Sequence, residues 1–246
     1  MSYGHNGIIG TLTPQANTTV EPEFWCLLPS GWSMLNARLT STLDTIEKRL
    51  VDYTDKFDAT ASHFGNAPLS AIAIACTGAS YLIGSERESA ITASMQQRLG
   101  IPCITAAQAT VSALRQMQVE RLALLTPYPE SLNKTSIDFW QSHGFNVVAT
   151  AGPSLESQAF HPIYAMAENS VCQAYETLSD SPADAVLMLG TGMATLGALL
   201  HGRQNQLMAA ISCNLALAWA CVNAVSESTL NTWLAADHWH SRFEIL

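Results

Sequence analysis

Three short loops carry the residue types that perform nucleophile and proton chemistry. In Ala75-Cys76-Thr77-Gly78-Ala79-Ser80 a cysteine closes the apolar run Ala71-Ile72-Ala73-Ile74-Ala75 and stands just ahead of a helix-like stretch. A thiol at a helix N-terminus has its thiolate favoured by the backbone dipole, which points to Cys76 as a nucleophile or proton carrier. Gly78 beside it lets the backbone approach a ligand closely. Cysteine is also a common small core residue, and the strand-end position is what separates Cys76 from the others. Cys26, Cys103, Cys172, Cys213 and Cys221 lie in apolar or helical contexts and are read as packing.

The first loop of the chain, Thr13-Pro14-Gln15-Ala16-Asn17-Thr18-Thr19-Val20-Glu21-Pro22-Glu23, gathers Asn17, Thr18 and Thr19 at the start of a helix. Thr18-x-x-Glu21 fits a capping box, whereas Pro22 suits a start nearer Glu21. Such an N-terminus seats a carboxylate well, and Asn17 and Thr18 equally suit simple capping. A third loop, Gly190-Thr191-Gly192, presents either turn glycines or backbone N–H groups for an oxyanion. Tyr128, after Thr126-Pro127, is either a hydrogen-bond or proton donor at the same end, or a half-buried aromatic.

The elements that must position these loops alternate short apolar runs with helix-like segments, the pattern of an α/β fold with parallel sheets. Strands are expected at Ile8–Leu12, Ala71–Ala75, Leu122–Leu125, Ala185–Leu189 and Leu207–Ser212, with helices over Ser85–Leu99 and Gln108–Gln118. The two halves echo each other. Thr13-Pro14 recurs as Thr126-Pro127, Cys76-Thr77-Gly78 as Gly190-Thr191-Gly192, and Cys103-Ile104-Thr105-Ala106 as Ala210-Ile211-Ser212-Cys213. Two pseudosymmetric lobes follow, each a small parallel sheet flanked by helices. Residues 1–115 form the first lobe and 116–213 the second, with about 214–246 a candidate to return to the first lobe. Ligands bind beyond the carboxyl ends of strands in such sheets, so the active site is expected in the cleft between the lobes.

Composition narrows the partners. The chain has 246 residues, 48% hydrophobic and 13% charged, with a formal charge of −9. That acidic balance repels polyphosphates, so no nucleic acid is expected. No run of residues is long and apolar enough for a bilayer span, and no targeting signal is seen, so a cytoplasmic protein with reduced thiols is expected. No CxxC pair and no phosphate-binding glycine loop occur. His238-Trp239-His240 lacks a third ligand, His63 and His161 have no recognisable partner, and no metal is expected. Low charge and a mean hydropathy of +0.13 suggest a buried subunit contact and hence a homo-oligomer.

Taken together, Gly7-Ile8-Ile9-Gly10, the Asn17-Thr18-Thr19-Val20-Glu21 segment, Ala75-Cys76-Thr77-Gly78, Thr126-Pro127-Tyr128 and Ile211-Ser212-Cys213-Asn214 resemble the aspartate/glutamate racemase superfamily. The branch they resemble holds maleate cis-trans isomerase and arylmalonate decarboxylase. The resemblance implies a cofactor-free enzyme acting beside a carboxylate of a small dicarboxylic acid. Racemases of the superfamily use two facing cysteines, isomerases use the first-lobe cysteine as nucleophile, and the decarboxylase keeps only the second-lobe cysteine. Here Cys76 fills the first position and Gly190 stands at the second, so two-base racemisation lacks one of its acids. The resemblance implies Cys76 as the reactive thiol and Asn17 and Asn214 near substrate carboxylates. Tyr128 and the backbone around Thr77 and Thr191 become donors to developing negative charge; around Gln158 a second-lobe asparagine of the isomerases has no clear counterpart. Cis-trans isomerisation of a maleate-type substrate through Cys76 is the leading expectation. Decarboxylation of substituted malonates, with Cys76 protonating the enediolate on one face, is the alternative, followed by a non-catalytic dicarboxylate-binding protein.

Overall fold

The computed structural model describes residues 3–153 and 162–245. Gln158 and His161 lie outside them. Among the described residues, eight strands fall into two parallel sheets of four, with strand orders β2-β1-β3-β4 and β6-β5-β7-β8. The first sheet uses β1 (Gly7–Pro14), β2 (Trp32–Leu39), β3 (Ala71–Ile74) and β4 (Cys103–Thr105). The second uses β5 (Arg121–Leu125), β6 (Asn146–Ala151), β7 (Ala185–Met188) and β8 (Ala210–Ser212). Identical strand orders make the sequence echo a structural repeat. Central strands β3 and β7 are buried along their whole length, which matches their unbroken apolar runs.

The helices follow from local signals. Cys76 precedes α4 (Thr77–Leu99), which bends where Gly84 takes φ 74°, and Gly100 at φ 69° ends it. A capping box between Thr105 and Gln108 opens α5 (Ala106–Gln116), and Ser212 caps α9 (Cys213–Asn223) in the equivalent way by accepting from the Leu215 N–H. The apolar window Leu207 to Val222 is therefore a short strand followed by a buried helix. Helix α9 packs against α5, against β3, and against α1 (Val20–Leu27) of the first sheet. The chain's end thus crosses back over the first half. Helix α2 (Ile46–Asp55), helix α6 (Glu130–Ser142) and helix α8 (Leu196–Gln204) complete the surroundings of the site.

Helix α1 starts differently from the expected capping box. Thr19 is its N-cap position and makes no side-chain cap. Asn17 does that work, its Oδ1 accepting the N–H groups of Thr19 at 2.9 Å and Val20 at 3.2 Å. Thr18 is exposed. The reason is geometric: the chain turns at Asn17, an Asx turn that sets its amide oxygen against the free N–H groups.

Candidate active site

The ends of β1, β3, β5 and β7 converge on a narrow cavity of about 40 Å³ between the two sheets. Its polar lining is Asn17, Cys76, Thr77, Tyr128 and Thr191, with Gly78, Gly190 and Gly192 contributing backbone. Seven of the nine positions singled out in the sequence as catalytic or substrate-binding (Cys76, Tyr128, Asn17, Thr77, Gly78, Gly190 and Thr191) line this cavity, and Thr18 and Asn214 do not. A larger cavity of about 260 Å³ lies beside Tyr175, Gly202, Arg203, Met208 and Trp239, away from these strand ends. Among the described residues it holds no thiol or carboxylate, so the smaller cavity is the one that chemistry selects.

Cys76 is 3% exposed and stands at the N-cap position of α4. Burial pushes its thiol up to about 12, outweighing the pull of the backbone at the helix start. The expected helix-favoured thiolate is therefore not the resting form; the group stands as a thiol. Around it lie three phenols. Tyr53 of α2 is raised to about 12, first by burial and then by the nearby Cys76. Tyr128 and Tyr164 are raised further, again chiefly by burial. Among the described residues, neutral donors thus surround the sulfur, and no Lys or Arg lines the cavity. Arg38 stands behind its rim, donating to the Asn17 carbonyl at 2.7 Å and pairing with Glu21.

The two halves are laced together at this point. Asn17 Nδ2 donates to Thr191 Oγ1 at 3.2 Å, and that hydroxyl donates to the Ala75 carbonyl at 2.8 Å. Thr19 Oγ1 donates to the Gly192 carbonyl at 2.8 Å. The main knot is Glu23, a buried carboxylate on α1 that accepts from the Thr195 N–H at 2.5 Å and the Leu196 N–H at 3.2 Å. Asn214 Nδ2 donates to the same carboxylate at 2.6 Å and to the Thr191 carbonyl at 3.1 Å. Both amide hydrogens of Asn214 are thereby used inside the protein. It serves a protein carboxylate where the sequence pointed to a substrate one.

Sequence reasoning missed the apolar wall of the cavity, made by Ile46, Leu50, Leu132 and Ile163 with Tyr53 and Tyr164. Ile46, Leu50 and Tyr53 do follow helical spacing on one face of α2, a signal that marks a buried stripe without telling core from cavity. At the far end of the chain, His238 Nε2 lies 3.0 Å from the Leu27 carbonyl and His240 Nε2 lies 3.6 Å from Glu244.

Two parallel sheets with a thiol in the cleft between them define a two-lobed α/β protein. Residues 9–232 match the family model for arylmalonate decarboxylase, and the chain belongs to that family. It is 26% identical over 150 residues to a maleate isomerase of Pseudomonas putida, a match covering 56% of this chain and 60% of that protein. It is 30% identical over 128 residues to an arylmalonate decarboxylase of Bordetella bronchiseptica, covering 50% and 51% respectively. These matches span one half to three fifths of the relatives' lengths. Over a larger share, 89% of this chain and 92% of the other, the fold follows a mutant of the Nocardia farcinica maleate cis-trans isomerase carrying a covalently bound succinylcysteine, with a TM-score of 0.74 and 20% identity.

Proposed function

We propose that this protein is a cofactor-independent isomerase of a small cis-dicarboxylate of the maleate type, with Cys76 as its nucleophile. The observation that carries the reading is the Cys76 thiol on the wall of the interlobe cavity, with Asn17 and Tyr128 beside it. One carboxylate would sit against the second N–H of Asn17. The other would take the Thr77 and Gly78 N–H groups, which open α4 and have no acceptor within the helix. The Cys76 sulfur then bonds to one alkene carbon and its proton passes to a substrate carboxylate oxygen. The π pair moves onto the other carboxylate as an enediolate. Rotation about the resulting single bond and expulsion of the sulfur yield the trans acid. The covalent succinylcysteine of the Nocardia farcinica protein supports such an addition.

A specific observation favours a second reading. The cavity carries a single thiol among its described lining residues, and a proton donor on one face alone suits decarboxylation of a substituted malonate. Proton NMR in D₂O of wild type and Cys76→Ala with maleate, substituted malonates and amino acids separates the two. The isomerase reading expects fumarate from maleate, lost at least about a thousandfold in Cys76→Ala. Carbon dioxide release with single-face deuteration identifies the decarboxylase instead, and wild-type activity in Cys76→Ala overturns both.

The reading extends to a cytoplasmic homo-oligomer. All six cysteines are unpaired, and Trp25 and Leu35 are 54% and 43% exposed near edge strand β2. Among the described residues no helix is long and apolar enough to cross a membrane. We place the division between lobes at 115 and 116, with α9 returning to the first lobe.

A further inference from the structure

The chemistry proposed above leaves one buried carboxyl group unused. Glu23 is 5% exposed on α1 and is not among the residues lining the cavity, yet its hydrogen bonds lead to the cavity wall. Its Oε1 accepts from the Thr195 and Leu196 N–H groups, and its Oε2 accepts from Asn214 Nδ2 at 2.6 Å. The second hydrogen of that amide goes to the Thr191 carbonyl at 3.1 Å. Thr191 carries the connection on through its side chain. Its hydroxyl donates at 2.8 Å to the carbonyl of Ala75, the residue before Cys76, and accepts from Asn17 Nδ2 at 3.2 Å. Asn17 Oδ1 is already held by the Thr19 and Val20 N–H groups, so a single amide hydrogen is left to point into the cavity. These bonds fix the direction of that donor and its distance from the strand end that carries Cys76. Packing alone does not account for Asn214. Its Oδ1 is buried and has no partner among the described residues, a cost that an apolar side chain of the same shape would avoid. What the amide brings is the use of both its N–H groups.

We infer that Glu23 is a positioning residue for substrate binding, orienting the Asn17 amide through Asn214 and Thr191. The inference rests on Asn17 holding a substrate carboxylate, as in the isomerase reading above. Glu23→Gln separates this role from a purely structural one. The glutamine oxygen keeps the Thr195 and Leu196 N–H groups, so the start of α8 stays tied. Its NH₂ then faces Asn214 Nδ2, donor against donor. The Asn214 amide turns to accept from it, which satisfies the orphaned oxygen and removes the bond to the Thr191 carbonyl. The fold keeps its bonds there while the path to Asn17 is cut.

The test measures maleate turnover by wild type, Glu23→Gln, Thr191→Val and Thr191→Ser. A misdirected Asn17 donor weakens substrate and transition state alike, so KM rises while kcat holds. The expected result is a KM at least about tenfold higher in Glu23→Gln and Thr191→Val, the scale of one hydrogen bond to a charged group, with kcat within about threefold. Thr191→Ser, which keeps the hydroxyl, returns KM to within about threefold of wild type. A Glu23→Gln KM within about threefold of wild type overturns the inference, as does a Thr191→Ser that behaves like Thr191→Val. Should Glu23→Gln fail to fold, Asn214→Ser, which leaves Glu23 its backbone donors, is held to the same KM criterion. Wild type that does not turn over maleate contradicts the isomerase reading itself. Positioning is then judged by proton–nitrogen correlation NMR of the Asn17 side-chain amide, assigned by its disappearance in Asn17→Asp. That signal shifts in Glu23→Gln if the path exists, and an unshifted signal overturns it.

Discussion

At Cys76 two effects compete over one proton. The start of α4 offers backbone N–H groups that favour a thiolate, while a setting 3% exposed among phenols disfavours any charge, and burial prevails. Alkylation of Cys76 by iodoacetamide should therefore climb about tenfold per pH unit up to at least pH 10, because only the thiolate reacts. Peptide mass spectrometry across pH checks this, and a plateau near pH 8 contradicts it. Gly190 supplies the companion prediction. With φ at 84° and a Cβ 2.9 Å from Ile163 Cδ1, Gly190→Cys should cost about 1–3 kcal/mol in urea unfolding. Unchanged stability would show that the loop adapts. That Cys76, Asn17 and Tyr128 line one cavity was legible in the sequence because loops after strands are where ligands bind. The setting of Asn214 was not, because an amide that holds a substrate carboxylate and one that holds a protein carboxylate look alike until the carboxylate is found. Cys213 reads as packing since its neighbours in sequence are apolar, and it is buried at the first residue of α9.

Helix α1 acts on the site through Glu23, which ties the start of α8 and the 190–195 loop to the first sheet. Glu23→Ala would strand the N–H groups of Thr195 and Leu196 and the Asn214 amide, costing about 3 kcal/mol in chemical unfolding. A loss below about 1 kcal/mol would mean the loop is held by other bonds. The carboxyl itself is raised from its usual value of 4.5, first by burial, against the pull of Thr195, Asn214 and Leu196. With the folded value above the unfolded one, its contribution to stability is fully present below pH 4.5 and is lost as pH rises through the folded value. Glu23→Gln should accordingly gain on wild type as pH goes from 4.5 upward, measured by urea unfolding at several pH values. A pH-independent difference contradicts this assignment. Nothing in the spacing of Val20-Glu21-Pro22-Glu23 reveals this partner, because the contact joins residues far apart in the chain.

Across the whole molecule the sequence repeat maps onto two sheets of identical strand order, and the cleft lies where their strand ends meet. The central strands β1, β3, β5 and β7 were legible because burial on both faces leaves unbroken apolar runs. Edge strands β2 and β6 were not. Trp32–Leu39 mixes Ser33, Asn36 and Arg38 among apolar residues, and Asn146–Ala151 is largely half-exposed, so neither shows a strand's simple pattern. The sequence left the path after Asn214 open, and α9 takes it back over β3 and α5. That crossing buries Cys213 at the start of α9. The most direct measurement is intact-protein mass spectrometry during turnover of maleate, followed by peptide mapping. The expected result is a mass increase of one substrate molecule on Cys76, absent in Cys76→Ala. Turnover with no adduct on Cys76, or an adduct on another cysteine, would contradict a reaction centred on that sulfur.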